Sequence, residues 1–229
     1  MDARTIEILT ESFWPILKAG ITYTIPLTLI AFALGTLLAV LVAIIRISRV
    51  PILDRICELY VWIIRGTPLL VQLFLVFFGL PKVGIVIDPM PSGILVFTLS
   101  IGAYSSEIFR AAILSIPKGQ WEAAMYPQQL IRVILPQAVK ISVPPLFNSF
   151  IALVKDTSLA ANITIPEMFL TTQRITARNY EPLLMYIEVG FIYLIFCTVL
   201  NYLQKKVEDR LMLTPHEKKK IKEITDSQG

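Results

Sequence analysis

Long apolar runs separated by short charged segments dominate this chain. Residues 19–45 contain no charged side chain, and residues 59–80, 92–106 and 183–203 form three further runs that are largely apolar. A helix needs roughly 20 such residues to cross a hydrocarbon core of about 30 Å. We therefore predict a membrane-spanning helix over each run, and the first has a helical lead-in from residues 13–17.

Prolines modify two of the predicted spans. In residues 59–80, Thr67 and packed neighbours are expected to satisfy the backbone freed by Pro68. A fifth span is predicted over residues 141–154, fourteen uncharged residues that include Pro144 and Pro145, which is short for a simple span. We expect a broken or partly buried membrane helix there, with Asn148 and residues 156–158 in protein or water rather than lipid.

The distribution of basic residues predicts the orientation of these helices. The short loop at residues 46–55 contains three arginines, and the positive-inside rule places such a loop in the cytoplasm. Residues 81–91 carry one base and one acid, as an outer loop does, and residues 167–181 are predicted to lie outside as well. The N-terminus is then outside and the C-terminus cytoplasmic.

Composition supports an all-α integral membrane protein with about five transmembrane helices. Apolar residues make up 55% of the 229 positions, charged residues 17%, and the mean hydropathy is +0.67, which is too hydrophobic for a soluble domain. We interpret the net charge of +4 as a signal for membrane orientation and for attraction to anionic lipid headgroups, not for nucleic acid binding. We predict one transmembrane domain at residues 1–213 and a charged cytoplasmic tail at residues 214–229.

The residues that would carry catalysis or bind a metal are sparse. Cys57 and Cys197 have neither CxxC nor metal-like spacing, so neither a structural disulfide nor a metal site is expected. The single histidine, His216, lies in the tail, which disfavours an intramembrane Ser-His hydrolase. The sequence GxxxxGK[ST] does not occur, so the chain has no P-loop of its own for ATP.

Three long motifs follow one another along the chain: RGTPLLVQLFLVFFGLP at residues 65–81, AYSSEIFRAAILSIPKGQWEAA at residues 103–124, and LPQAVKISVPPLFNSFIALVKDTSLA at residues 135–160. Together they resemble the polar amino acid branch of ATP-binding-cassette (ABC) importer permeases. They occur in the family's order and cover nearly the whole chain. TSLAANITIPEMF and QRITARN, in residues 157–179, look more like cystine permeases than glutamine or arginine permeases.

The resemblance implies a type I importer permease that moves a polar amino acid, with L-cystine as the leading candidate, across the bacterial inner membrane by alternating access. It implies no cofactor on this chain, because ATP and Mg would bind to separate ABC ATPase subunits. A second permease, identical or homologous, and an extracytoplasmic substrate-binding protein complete the expected partners in the bilayer. A channel or secondary carrier for a small polar solute is the alternative, since intramembrane charge and broken helices suit it too.

The polar stretch at residues 116–138 is expected to receive force from the ATPase. In such importers the EAA motif, here residues 122–124, lies on a short cytoplasmic coupling helix in a cleft of the ATPase. The two small alanines of the motif would let the ATPase surface approach closely. Its carboxylate is favourable near the start of a helix, where the helix dipole is positive. From the residues alone, an amphipathic hairpin in the headgroup region is the alternative. The resemblance assigns coupling to Gly119, Gln120, Glu122, Ala123, Ala124, Leu135 and Pro136.

The same stretch departs from the family at its centre. Members usually keep a glycine shortly after the EAA motif and a longer spacing, whereas here Glu122 and Pro136 are fourteen steps apart with no glycine between them. Pro127 suits a first helical position, which leaves under two turns from Glu122 to Tyr126. Either the natural chain has lost its turn, or a loop of about five residues is absent between Tyr126 and Pro127. We favour the second interpretation.

Polar groups at membrane depth are the candidates for the translocation path. Asn148 and Ser149 lie on the proline-containing segment, where a discontinuous helix exposes backbone groups able to hold a zwitterion. Gln72 either lines the path or bridges helices. Glu188 lies inside the last apolar run, where a charge costs roughly 2.5–3.5 kcal/mol, so we expect it to face protein, a partner or the interface. As a path residue it would be a gate or a ligand contact.

Two further charged pairs have simpler interpretations. Glu107 and Arg110 are spaced i, i+3 on one helical face, which predicts an ion pair that fixes the third span. Lys155 and Asp156 form either a contact for the extracytoplasmic receptor or a salt-bridged helix end.

Overall fold

The computed structural model describes residues 3–117, 119, 132 and 134–212, and each regular element in them is helical. In chain order the α-helices are α1 (Ala3–Ala19), α2 (Ile25–Ser48), α3 (Pro51–Gly66), α4 (Leu69–Phe74), α5 (Pro89–Leu114), α6 (Leu135–Asp156), α7 (Met168–Asn179) and α8 (Pro182–Met212). Two π-helical turns, Gly20–Thr24 and Leu75–Gly79, and two 3₁₀ turns, Leu80–Val83 and Thr157–Ile163, extend or join them.

The membrane character of the chain is confirmed by the lengths of these helices. Four helical stretches in the described residues are long and apolar enough to span a bilayer, and a bent pair of helices counts as a fifth when taken as one span. Large apolar side chains lie exposed along α2 and α8, including Leu37 and Phe191. Exposed apolar surface on this scale suits contact with lipid rather than water.

Three spans are longer than their apolar runs. The first continues without interruption from Ala3 to Ser48, so the expected lead-in is part of the same helix. The third was predicted to end at residue 106 but continues to Leu114, because Glu107 and Arg110 pair with each other inside the helix. The last continues to Met212 rather than to residue 203.

For residues 141–154 a broken or a partly buried helix was predicted, and the break was wrong. The chain runs as one partly buried helix, α6, through both Pro144 and Pro145, because packed neighbours allow proline within a membrane helix. The break lies instead in the second span, between α3 and α4, whose axes differ by 107°. Here Thr67 and Pro68 are extended (ψ 145° and 135°), as is usual for proline and the residue before it.

Small residues allow α2 and α5 to pack closely. A Cβ atom added to Gly35 would lie 2.7 Å from the Cβ of Ile101, and one added to Gly102 would lie 2.7 Å from the Leu38 side chain. Membrane helices associate through such close backbone contact because lipid supplies little hydrophobic drive between them. Five alanines of the two helices are also buried: Ala31, Ala39, Ala43, Ala103 and Ala112.

The main core lies between α2, α4, α5, α6 and the 3₁₀ turn that follows α6. Its fully buried side chains include Leu27, Leu73, Phe97, Leu153 and Ile163. This packing holds α4, and with it the α3–α4 break, against α5 and the 3₁₀ turn. The candidate site is found beside this break.

The segment at residues 167–181 is more than an outer loop. It contains α7, which packs on α1 and α8. Glu167, predicted to be in the outside segment, is fully buried and caps the start of α7. The tail predicted at residues 214–229 lies outside the described residues.

Candidate functional site

Gln72 organises the break between α3 and α4. Its Nε2 donates to Ile64 O (2.8 Å), Thr67 O (3.1 Å) and Thr67 Oγ1 (2.9 Å). The last carbonyls of α3 have no partner within that helix, so the amide of Gln72 occupies some of them. Thr67 Oγ1 also donates to Ile63 O (2.8 Å). The expectation that Thr67 and packed neighbours satisfy the freed backbone at Pro68 is confirmed.

Beside this break lies a cavity of about 270 Å³ between α3, α4, α5 and α6. We call it the central cavity. Apolar side chains form most of its wall, and its polar lining residues are Thr67, Gln72, Ser100, Tyr104, Ser149 and Asp156. A largely apolar cavity with a few convergent polar groups has the composition of a small-molecule site.

Two of these polar groups have hydrogen-bonding capacity to offer a ligand. Gln72 is 9% exposed, and its Oε1 is buried without a hydrogen-bond partner among the described residues. A buried amide oxygen without a partner costs free energy, which a donor entering the cavity would recover. Asp156, at the end of α6, adds a carboxylate to the same lining. Both groups are acceptors suited to an ammonium group.

Asp156 was not among the predicted path residues, although its spacing points to it. Ser149, Ala152 and Asp156 follow one another at intervals of three and four residues, and all three line the central cavity. This interval places side chains on one face of a helix. From the sequence, Asp156 was considered only together with Lys155, as a receptor contact or a salt-bridged helix end, and so this interval was not used.

The four predicted path residues do not come together at one place. Gln72 and Ser149 line the central cavity. Asn148 faces elsewhere, with its Oδ1 accepting from Gln204 Nε2 of α8 (3.0 Å).

Glu188 joins α8 to α1 away from the central cavity. Its Oε2 accepts from Ser12 Oγ (2.5 Å), and the residue is 7% exposed. The neighbouring cavity, of about 710 Å³, is lined mainly by apolar residues of α1 and α8. The structure therefore places Glu188 against protein, one of the positions expected for it.

The two chain segments that flank the coupling stretch meet in a small cluster. Ile116, Ile134 and Ala138 are buried together, with Ile113 packed against them. Three predicted coupling residues are exposed on either side of it: Leu135 and Pro136 at the first turn of α6, and Gly119, around which there is open space. The remaining ones, Gln120, Glu122, Ala123 and Ala124, and the junction of Tyr126 with Pro127 lie outside the described residues.

Charged side chains connect α2, α3 and α5 at this same end of the bundle. Arg46 pairs with Glu107, and its Nε lies 3.8 Å from Asp54 Oδ1. Arg110 donates to Glu107 Oε2 through Nε (3.2 Å) and a terminal nitrogen (3.1 Å). The predicted pairing of Glu107 with Arg110 is confirmed, and Arg46 is a third member that spacing along one helix does not show.

Lys155 does not share the central cavity with its neighbour Asp156. It lines a separate cavity of about 420 Å³ together with Phe169 and Tyr186, whose rings stack at 5.8 Å. Among the described residues, no cluster of three His, Cys, Asp or Glu side chains is arranged to hold a metal ion.

Comparisons with known proteins agree with this architecture. A family profile described as "Binding-protein-dependent transport system inner membrane component" matches residues 35–213. The L-cystine transport system permease protein TcyB of Bacillus subtilis (strain 168) is 50% identical over 211 residues, which cover 90% of each chain. The probable amino-acid ABC transporter permease protein YckA of the same organism is 36% identical, covering 89% of this chain and 92% of its own.

A solved structure shows the same fold. The crystal structure of an amino acid ABC transporter with histidines aligns with a TM-score of 0.85 at 28% identity, covering 92% of this chain and all of that chain. The helical arrangement described above is therefore that of a known transporter subunit.

Proposed function

The chain belongs to the family of inner membrane components of binding-protein-dependent transport systems, and on that premise we propose that it carries L-cystine inward by alternating access. It is a multi-pass bacterial inner membrane protein and the permease subunit of an amino acid ABC importer, not an enzyme. The family implies ATPase and binding-protein partners on separate chains. Membership therefore favours the importer over the channel or secondary carrier.

The central cavity is the observation that supports a substrate path through this chain. Its volume of about 270 Å³ lies just below the range of ligand pockets, about 300–1,000 Å³, and this suits an amino-acid-sized solute. The substrate's ammonium group would pair with Asp156 and Gln72 Oε1. The hydroxyl groups of Ser100 and Tyr104 would donate to its carboxylate.

The choice of L-cystine rests on two similarities. TcyB, the relative at 50% identity, is an L-cystine permease by name, whereas YckA at 36% is named only as an amino-acid permease. The segment at residues 157–179 resembles cystine permeases in particular. In cystine a second amino acid joined through a disulfide would extend from the first, along the apolar wall formed by Ile64, Leu69 and Leu159.

Coupling to the ATPase is proposed for the stretch between α5 and α6. Glu122, Ala123 and Ala124 would seat in the ATPase cleft, with Gly119, Gln120, Leu135 and Pro136 around them. The buried cluster around Ile116 and Ile134 would transmit their displacement to α5 and α6, both of which line the central cavity. Two permeases, identical or homologous, would enclose the full path, and the tail at residues 214–229 would have no part in it.

The cavity is tested by reconstituting the permease with its ATPase and binding protein in proteoliposomes and measuring ATP-dependent uptake of labelled cystine. The Asp156→Asn variant should reduce uptake at least about tenfold through loss of a charge-assisted bond, without changing cystine binding by the receptor. The control is Asn148→Ala, one residue from Ser149 but outside the cavity, which should retain uptake. Wild-type uptake by Asp156→Asn would overturn the cavity assignment, and preference for another amino acid would overturn the cystine assignment alone.

Coupling is tested by Glu122→Ala in the same system. This variant should weaken co-purification with the ATPase or allow ATP hydrolysis without uptake, because it removes the carboxylate proposed to pair with partner bases. A substitution at exposed Lys82, in the segment predicted to lie on the opposite side, serves as the matched surface control. Normal ATP-dependent uptake by Glu122→Ala contradicts the coupling proposal.

A further inference from the structure

A groove of about 500 Å³ lies beside α3, at the end of the bundle from which the coupling stretch departs. We call it the α3 groove. Arg46, in the last turn of α2, and Glu107, in the second half of α5, line one side of it. The other side is a single face of α3. Neither the central cavity nor the coupling cluster shares these residues.

The face of α3 that lines the groove is amphipathic along its length. Four of its residues follow at intervals of four, three and three, which places them on one side of the helix: Arg55, Leu59, Trp62 and Arg65. The opposite side packs against α2 and α5 through Cys57 and Ile64, and Val61 lies at the boundary, buried in this packing while also lining the groove. The lining face is therefore free of the bundle, and Trp62 is 71% exposed.

The charges around the α3 groove favour an anion. Two carboxylates, those of Glu58 and Glu107, face three guanidinium groups, those of Arg46, Arg55 and Arg65. Glu107 is already engaged by Arg46 and by a further arginine outside the groove. In addition, Arg46 Nε is buried without an acceptor at hydrogen-bonding distance in the described part of the chain, since the Asp54 carboxylate beside it is 3.8 Å away. A guanidinium group binds phosphate oxygens through paired donors.

The apolar part of the same face favours a lipid over a soluble anion. Trp62 and Leu59 lie between Arg55 and Arg65, and the adjoining surface of α3 also exposes isoleucine side chains. Tryptophan is enriched at the boundary between headgroups and acyl chains. The long side chain of arginine keeps its charge near the headgroups while its methylene groups lie along apolar surface. Arg65 also stacks over the Tyr104 ring at 5.3 Å, which holds its position at the edge of the groove.

We propose that the α3 groove binds one anionic phospholipid, with its phosphodiester headgroup at Arg46, Arg55 and Arg65 and its acyl chain along Leu59 and Trp62. The predicted topology puts this end of the bundle in the cytoplasmic leaflet, where anionic lipids attract juxtamembrane bases. The bound lipid would tie α3 to the pair formed by Arg46 and Glu107, and so to α2 and α5.

The experiment measures which lipids remain on the purified full-length chain. The protein is exchanged into detergent micelles with equal amounts of phosphatidylglycerol and phosphatidylcholine, and retained lipids are counted by native mass spectrometry. Wild type should retain one phosphatidylglycerol in preference to phosphatidylcholine by on the order of 10-fold or more. The R55Q/R65Q variant should lose most of this preference, whereas K82Q, which removes an exposed base remote from the groove, should keep it.

Several results would overturn the proposal. Equal retention of the two lipids by wild type would do so without any variant, and so would unchanged preference in R55Q/R65Q. If R55Q/R65Q does not fold, W62A replaces it, and this variant should shorten lipid retention while leaving headgroup preference in place; unchanged retention in W62A would refute the acyl-chain contact. Displacement of the lipid by an equal concentration of glycerol phosphate would show a soluble-anion site instead.

Discussion

At the scale of single residues, Glu167 is the most unusual group outside the membrane spans. It is fully buried, and its carboxylate accepts from the backbone amides of Phe169 (2.8 Å) and Leu170 (2.7 Å) and from Tyr193 Oη (3.0 Å). Burial nevertheless raises the pKa of this carboxyl from 4.5 to about 7, and the hydrogen bonds only partly offset that rise. The folded state therefore prefers protonated Glu167.

This preference predicts a pH dependence of stability. Below pH 4.5 the carboxyl is mainly protonated in both the folded and unfolded states, and above about pH 7 it is mainly ionised in both. Between these values the unfolded state ionises first, so stability falls as pH rises, by about 1.4 kcal/mol per unit of pKa difference. The measurement is the unfolding temperature of the detergent-solubilised chain from pH 5 to pH 8, which should decrease.

The Glu167→Gln variant should lose this component of the pH dependence, since an amide does not titrate. Glu181→Gln is the control, because the Glu181 side chain is 46% exposed and lies 3.9 Å from Arg4. Such an exposed ion pair contributes little to the free energy of unfolding. An unchanged slope in Glu167→Gln would mean that another group is responsible.

At the scale of elements, packing through small residues decides how close α2 and α5 lie. A carbon placed at the Cβ position of Gly35 would lie within 3.0 Å of the Cβ and Cγ2 of Ile101 and of the carbonyl oxygen of Thr98. The Ile101 Cβ is attached to its backbone and cannot rotate away. The interface therefore has no room for even one methyl group unless a helix shifts.

Gly35→Ala should destabilise the chain by about 1–3 kcal/mol, the usual cost of overpacking, seen as a lower unfolding temperature. Gly190→Ala, also inside a helix but with open space around its Cβ position, is the matched control. It should be neutral or raise stability by up to about 1 kcal/mol, because alanine is the better helix former. Equal effects of the two substitutions would refute the close-contact explanation.

At the scale of the whole molecule, the chain is a permease that needs other subunits. The α3 groove and the buried cluster beside the stretch proposed for coupling lie at one end of the bundle, and the central cavity lies among the helices that lead away from it. This layout suits force applied from one side and substrate released through the middle. The chain has no P-loop with which to bind ATP, so the energy for transport is expected from the separate ATPase subunits.

The purified chain alone, in proteoliposomes, should consequently show no ATP hydrolysis and no cystine flux above that of empty liposomes. Addition of the ATPase and the loaded binding protein should produce uptake that requires ATP. Cystine flux by the chain alone, driven by an ion or substrate gradient, would instead identify a secondary carrier. A matched preparation with the subunits but without ATP controls for passive leakage.

Hydrophobic patterning was sufficient to predict the all-helical class and the membrane location. Runs of about 20 apolar residues leave few other structures available in a bilayer, because every backbone group must be satisfied within the segment. The pairing of Glu107 with Arg110 was equally predictable, since helical geometry alone brings residues three positions apart together.

The break, the cavity and the placement of Asp156 depended on tertiary structure. Pro68 and the two prolines of α6 look alike in sequence, yet only Pro68 marks an interruption of its helix. Gln72 and Thr67 satisfy the backbone there, and α5 and the 3₁₀ turn after α6 pack against α4. Helical spacing puts Asp156 on the same face as Ser149, but only the packing of α6 against α5 turns that face into a wall of the central cavity. Local sequence determines which residues can leave a helix, whereas packing between distant segments decides which of them do.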